Sequence, residues 1–115
     1  MEKIKIKKLN DKAVLPSRGS CFSAGLDLSA CIETDITIEP NETKKIGTGI
    51  AIELLPKTVG LVFGRSGLGV KFGIAPANCV GVIDSDYRGE IIVGLHNSGK
   101  ESYTVKMCSC QLLSK

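Results

Sequence analysis

The chain has 115 residues, 43% hydrophobic and 23% charged, which fits one soluble globular domain spanning 1–115. Its net charge of +3 is too small to argue for direct nucleic-acid binding, and no apolar run approaches the ~20 residues that cross a bilayer. Five cysteines, an odd number without a C-x-x-C pair, read as reduced thiols, which places the protein in the cytoplasm or nucleus.

The N-terminal "MEKIKIKKLN" is basic but has no apolar block after it, so it does not read as a signal peptide. Its lysines alternate with Ile4 and Ile6, the pattern of a strand with one solvated face. Ile36 and Ile38 alternate in "DITIE". In "KKIGTGIAIEL" the residues Ile46, Thr48, Ile50, Ile52 and Leu54 share one face. Only "SGLGVKFG" suits a short helical turn, opening near Ser66. Val82 and Ile83 lead into a charged turn that reads as a hairpin tip, and Ile91, Val93 and Leu95 share a face after it. Turn signals separate these runs: "PSRGS", "EPNET", "LPKTVG", "RSGLG" and "HNSGKES". Thirteen glycines and many isoleucines and valines agree with this spacing. The expected fold is all-β, a sandwich or barrel with at most one short helix.

Three stretches carry candidate chemistry. "SAGLDLSA" sets Asp27 between two leucines, either the wet side of a strand or a magnesium ligand, since that ion takes one or two carboxylates plus substrate phosphates. "FGRSGLG" offers the Arg65 fork, the Ser66 hydroxyl and the bare backbone of Gly67 to an anion. It matches neither standard phosphate-loop pattern, and a plain turn is the competing reading. "GVIDSDYRGEI" puts Asp84 behind an apolar run, where it can orient and deprotonate a water. A carboxylate is a weak base, so its position would count for more than its basicity. Tyr87 can pack flat against a sugar, while Asp86 and Arg88 read as turn and salt-bridge residues. Cys108 and Cys110 form a C-x-C, a weak metal signal that His96 does not complete.

Taken in order, "AGLDLSA", "GRSGLG" and "NCVGVIDSDYRGE" resemble the first three motifs of the trimeric dUTPase family (deoxyuridine 5′-triphosphate nucleotidohydrolase). The resemblance runs from the N-terminal strand to about Leu113. It implies a jelly roll that forms homotrimers with active sites at subunit interfaces. It implies hydrolysis of dUTP to dUMP and pyrophosphate, limiting uracil in DNA and supplying dUMP for thymidylate synthesis. The implied cofactor is Mg2+, bound by the triphosphate. By position, Asp84 matches the residue that activates the water attacking the α-phosphorus, and Asp27 the carboxylate linked to the metal through water. Arg65, Ser66 and Gly67 match the phosphate-binding segment. Asn78, Gly81, Val82 and Ile83 match the hairpin that receives uracil, and Tyr87 the ring under the deoxyribose that rejects a 2′-hydroxyl.

The family's fourth motif reads like G-D-R-I-A-Q-L, whereas this chain has "VKMCSCQLLSK", in which only Gln111 and Leu112 fit. No stretch matches the fifth motif, a glycine-rich arm that closes over a neighbouring subunit's site. Closure strengthens electrostatic interactions within a site, so weak binding and slow turnover are expected without it. The alternative expectation is a truncated or non-catalytic nucleotide-binding or regulatory protein of the same fold. A dCTP deaminase is a further alternative, which the third motif favours less.

Overall fold

The computed structural model describes residues 3–106 and 111–114. Eleven strands and one helix are found among them, and every strand pairing is antiparallel. Strand β1 (Lys5–Lys8) pairs with β5 (Ile50–Glu53), and β3 (Ile36–Ile38) with β10 (Tyr103–Val105). A three-stranded sheet runs β4 (Thr43–Gly47), β9 (Ile92–Asn97), β7 (Ile74–Pro76). A four-stranded sheet runs β2 (Leu26–Ser29), β11 (Gln111–Ser114), β6 (Gly60–Phe63), β8 (Gly81–Ile83). Neighbours within these sheets are mostly distant in sequence, which gives the jelly-roll-like β architecture. Helix α1 covers Ser66–Phe72 and opens at the serine where the sequence allows a helical turn.

The period-two patterns define the core. Leu28, Ile38, Ile46, Ile50, Ile74, Leu95 and Val105 are buried, and they come from seven different strands. Each is worth about 1.5–3 kcal/mol of apolar burial, and together they lock the sheets face to face. Ile91, Val93 and Leu95 point inward as their alternation requires. Asn97 continues the same face and is also buried. Its Nδ2 donates to the carbonyls of Ile38 (2.9 Å) and Glu101 (2.8 Å), and its Oδ1 accepts the Gly99 N–H (2.8 Å). A buried amide satisfied on three sides fixes the end of β9 against the turn that follows it.

The long run "KKIGTGIAIEL" is not one strand. It breaks at Thr48–Gly49, and the chain passes there from the β9 sheet to β1. Gly49 has φ 69°, and a Cβ on it would lie 2.9 Å from Cys31 Sγ and 3.0 Å from Ala13 Cβ. Backbone conformation and close packing both demand glycine here. The inward alternation survives the break, because the Thr48 hydroxyl turns in and donates to the Ile91 carbonyl at 2.7 Å.

The hairpin expected around "IDSDYRGE" is absent from the pairing. Strand β8 pairs with β6, whereas β9 pairs with β4 and β7, so residues 84–91 cross between two sheets. The N–H of Ile91 is taken by the Ile50 carbonyl, and the Ile91 carbonyl by the N–H of Thr48. These bonds tie the exit of the crossing to the β4–β5 corner instead of to β8.

Candidate active site

The crossing after β8 begins with a tight turn: the Tyr87 N–H donates to the Asp84 carbonyl at 3.1 Å. Asp84 is exposed at its mouth. Arg88 does not form the expected salt bridge among the described residues. Its guanidinium donates to the carbonyls of Ser85 (2.7 Å) and Tyr87 (3.1 Å), clamping the turn from outside. An ion pair joins Lys106 and Asp35 at 3.3 Å, far from this segment in sequence. The Tyr87 hydroxyl donates to the Glu90 carbonyl at 2.7 Å, which lays the ring along the crossing.

Beside this turn lies a cavity of about 220 Å³. Asn78, Gly81, Val82, Ile83, Asp84 and Tyr87 line it, so six residues singled out from the sequence meet in one place. Glu90, Ile91 and the first residues of β9 close its other side. Gly81 lets the backbone approach closely, since a Cβ there would sit 3.3 Å from Val62 Cβ and 3.7 Å from Asn78 Nδ2. The cavity thus combines an apolar wall, an amide, exposed backbone, a carboxylate and a half-covered aromatic ring. That is the equipment for a heterocyclic base and its sugar.

Arg65, Ser66 and Gly67 do not line this cavity. Their place follows from register. Gly60 faces Ile83 and Val62 faces Gly81, so Asp84 lies past one end of the β6–β8 pair and Arg65 past the other. Arg65 is the N-cap of α1, in extended conformation (φ −81°, ψ 136°), and its carbonyl accepts the Gly69 N–H at 2.9 Å. A Cβ on Gly67 would meet nothing within 4 Å. No packing among the described residues calls for that glycine.

Asp27 is half-buried in β2 and exchanges both backbone hydrogen bonds with Ser17. Leu113 of β11 faces Asp27 on one side and Phe63 of β6 on the other. Asp27 therefore sits about 10 Å from the end of β6, two strands across. Continuing the β11–β6 register brings the backbone of Gln111 level with Arg65. The side chain of Gln111 lies outside the described residues, as do Cys108 and Cys110. The site residues thus form two groups. One lines the cavity, which runs along β8 from Asn78 and Gly81 to Asp84. The other is the Arg65–Gly67 segment with Asp27 and Gln111 nearby.

Glu90 was missed by reading the sequence. It is half-buried, lines the cavity, and its carboxylate accepts the Gly49 N–H at 2.9 Å. The available signal was the "GTG" inside an apolar alternation, because glycine within a strand marks close approach of something else.

Comparison with known proteins gives a consistent answer. The family model described as dUTPase matches residues 11–114. A deoxyuridine 5′-triphosphate nucleotidohydrolase of Desulfitobacterium hafniense is 51% identical over 111 residues, covering 92% of this chain and 74% of the relative. That of Blochmanniella pennsylvanica is 52% identical over 92 residues, covering 79% of this chain and 62% of the relative. Among solved structures, the dUTPase of Staphylococcus bacteriophage 80alpha superposes with TM-score 0.84 at 22% identity, over 98% of this chain and 89% of that one. A dUTPase of phage phi11 of S. aureus, with a structural Mg(II) ion, does so with TM-score 0.84 at 21% identity, over 99% and 90%.

Proposed function

The chain belongs to the dUTPase family, and from that premise we propose a division of labour between its two groups of residues. Residues 1–115 form one domain. The cavity beside Asp84 takes the deoxyuridine, and the Arg65–Gly67 segment takes the triphosphate. The reaction is the hydrolysis of dUTP to dUMP and pyrophosphate. Its consequences in the cell are less uracil in DNA and a supply of dUMP for thymidylate synthesis. The observation that carries the reading is the convergence of Asn78, Gly81, Val82, Ile83, Asp84 and Tyr87 on a single cavity.

Asp84 accepts a proton from a water, and the resulting oxygen nucleophile attacks the α-phosphorus. The bond from that phosphorus to the bridging oxygen breaks, and pyrophosphate leaves with the bond pair. Phosphoryl transfer of this kind depends mainly on positioning and charge stabilisation. The backbone of Gly81–Ile83 and the Asn78 amide satisfy the polar edge of uracil, and the tight apolar wall excludes a 5-methyl group. A base that leaves these groups unpaired is rejected more strongly than one that merely loses an apolar contact. Tyr87 packs under the deoxyribose, where a 2′-hydroxyl collides with the ring. The Arg65 fork, the Ser66 hydroxyl and the backbone of Gly67 hold phosphate oxygens, assisted by Gln111.

The family uses Mg2+. Among the described residues no three His, Cys, Asp or Glu side chains form a metal cluster, while Asp27 stands as a single half-buried carboxylate. That donor set fits an ion held mainly by the substrate's phosphates and reached by Asp27 through water. When bound, the ion offsets the negative charge of the triphosphate.

Asp84 and Arg65 lie past opposite ends of the β6–β8 pair, which supports a homotrimer in which one copy's Arg65–Gly67 faces another copy's Asp84. Phe63, Val70 and Phe72 are each exposed in the isolated chain, apolar side chains suited to burial between copies. The protein acts inside the cell, in cytoplasm or nucleus. Among the described residues no helix is long and apolar enough to cross a membrane.

The test is pyrophosphate release with Mg2+ from dUTP, UTP and dCTP. Release from dUTP alone is expected. Equal release from UTP, or none from any nucleotide, would refute the reading.

A further inference from the structure

Tyr87 is 44% exposed, so packing does not by itself fix its ring. Its hydroxyl is held by the Glu90 carbonyl at 2.7 Å. Gly89 makes that contact possible, because a Cβ there would lie 2.7 Å from Tyr87 Oη. Glu90 is itself anchored through its side chain: Oε2 accepts the Gly49 N–H at 2.9 Å. Gly47 leaves the space for this carboxylate, since a Cβ there would lie 2.6 Å from Oε2. The next residue, Ile91, is bonded through both its N–H and its carbonyl to the same β4–β5 corner. A chain of contacts therefore runs from a glycine corner between two sheets, through Glu90, to the ring of Tyr87 and on to the Asp84 carbonyl.

We propose that Glu90 is a positioning residue for sugar selectivity. Its carboxylate grips the Gly47–Gly49 corner while its carbonyl grips Tyr87, and together these hold the ring where a 2′-hydroxyl collides with it. The inference rests on the reading that the cavity takes deoxyuridine. A ring held by one hydrogen bond on an otherwise exposed face is easily displaced, and small displacements are costly to a site that works by fit.

The readout is kcat/KM for dUTP divided by kcat/KM for UTP, with Mg2+ present. Glu90→Ala is expected to lower this ratio roughly ten-fold, the scale of one hydrogen bond, chiefly by admitting UTP. Glu90→Gln keeps an oxygen that accepts the Gly49 N–H, and the wild-type ratio is expected to persist. Gly47→Ala pushes the carboxylate aside without removing its charge and should reproduce Glu90→Ala. Tyr87→Phe should lower the ratio too, and adding Glu90→Ala to it should lower the ratio no further, because both act through one contact. A merely structural glutamate would reduce both substrates equally and leave the ratio unchanged. A wild-type ratio in either Glu90→Ala or Tyr87→Phe overturns the proposal, and the exposed Tyr87 keeps the test decisive even where Glu90→Ala does not fold. Wild-type protein that fails to prefer dUTP over UTP overturns the functional reading itself, before any variant is made.

Discussion

Asp84 sits at the mouth of the cavity, exposed, with its carbonyl rather than its carboxylate engaged by the turn. Replacing the carboxylate by an amide keeps the shape and removes the proton acceptor. Asp84→Asn should lower kcat for dUTP by roughly 10²–10⁴-fold, the usual worth of a positioned base, and leave KM nearly unchanged. Steady-state pyrophosphate release checks this, and a rise in KM with kcat preserved would assign Asp84 to binding instead. Asn97 has the opposite character, far from the chemistry and wholly buried. Asn97→Leu leaves the Ile38 and Glu101 carbonyls and the Gly99 N–H without that partner. It should destabilise the fold by ~3 kcal/mol in urea unfolding at fixed subunit concentration. Asp84 and Tyr87 could be picked out from the sequence as candidates because the turn that holds them is continuous in the chain. Glu90 could not, because its partner Gly49 is 41 residues away and contributes only a backbone N–H. Asn97 was hidden by alternation, which marks a position as inward without revealing that a polar side chain is satisfied there.

Helix α1 is an element whose sequence argues against its own stability. Seven residues with two glycines gain little from propensity, and the helix is held by half-buried Leu68 against the core and by the Phe72 ring beside Tyr103. Among the described residues nothing lies within 4 Å of a Cβ added at Gly67. Gly67→Ala should therefore raise stability by up to ~1 kcal/mol in denaturant unfolding. On the proposed division of labour it should also weaken dUTP hydrolysis, because phosphate oxygens would then meet the added methyl. A variant that gains stability and keeps full kcat/KM would show that the glycine serves neither packing nor substrate. The strands were legible at this scale because a half-buried strand must alternate, and most runs did so over their whole length. Their ends were less so. The β4–β5 run keeps its alternation through the Thr48–Gly49 break, so hydrophobic pattern carries no trace of the change of sheet. The missing hairpin has the same origin: two apolar runs flanking a turn look alike whether they pair with each other or with strands elsewhere.

At the scale of the whole molecule, the proposed function requires Arg65 to reach a nucleotide seated beside Asp84. Within one chain the β6–β8 register holds them apart, each beyond a different end of the same strand pair. A rotationally symmetric assembly solves this without bending the sheet, since every copy then lends its Arg65–Gly67 segment to one neighbour and its cavity to another. Such sharing has a consequence that a self-contained site lacks. Arg65→Ala and Asp84→Asn proteins should each be nearly inactive. Unfolded together in equal amounts and refolded, they should regain activity, because a site that takes its Arg65 from one variant and its Asp84 from the other is intact. Random mixing makes about one site in four of this kind, so close to a quarter of the wild-type rate is expected. Mixing without refolding should restore less, to the extent that preformed assemblies exchange subunits slowly. If both residues served a site within a single chain, every site would carry one defect and no mixture would exceed its parts.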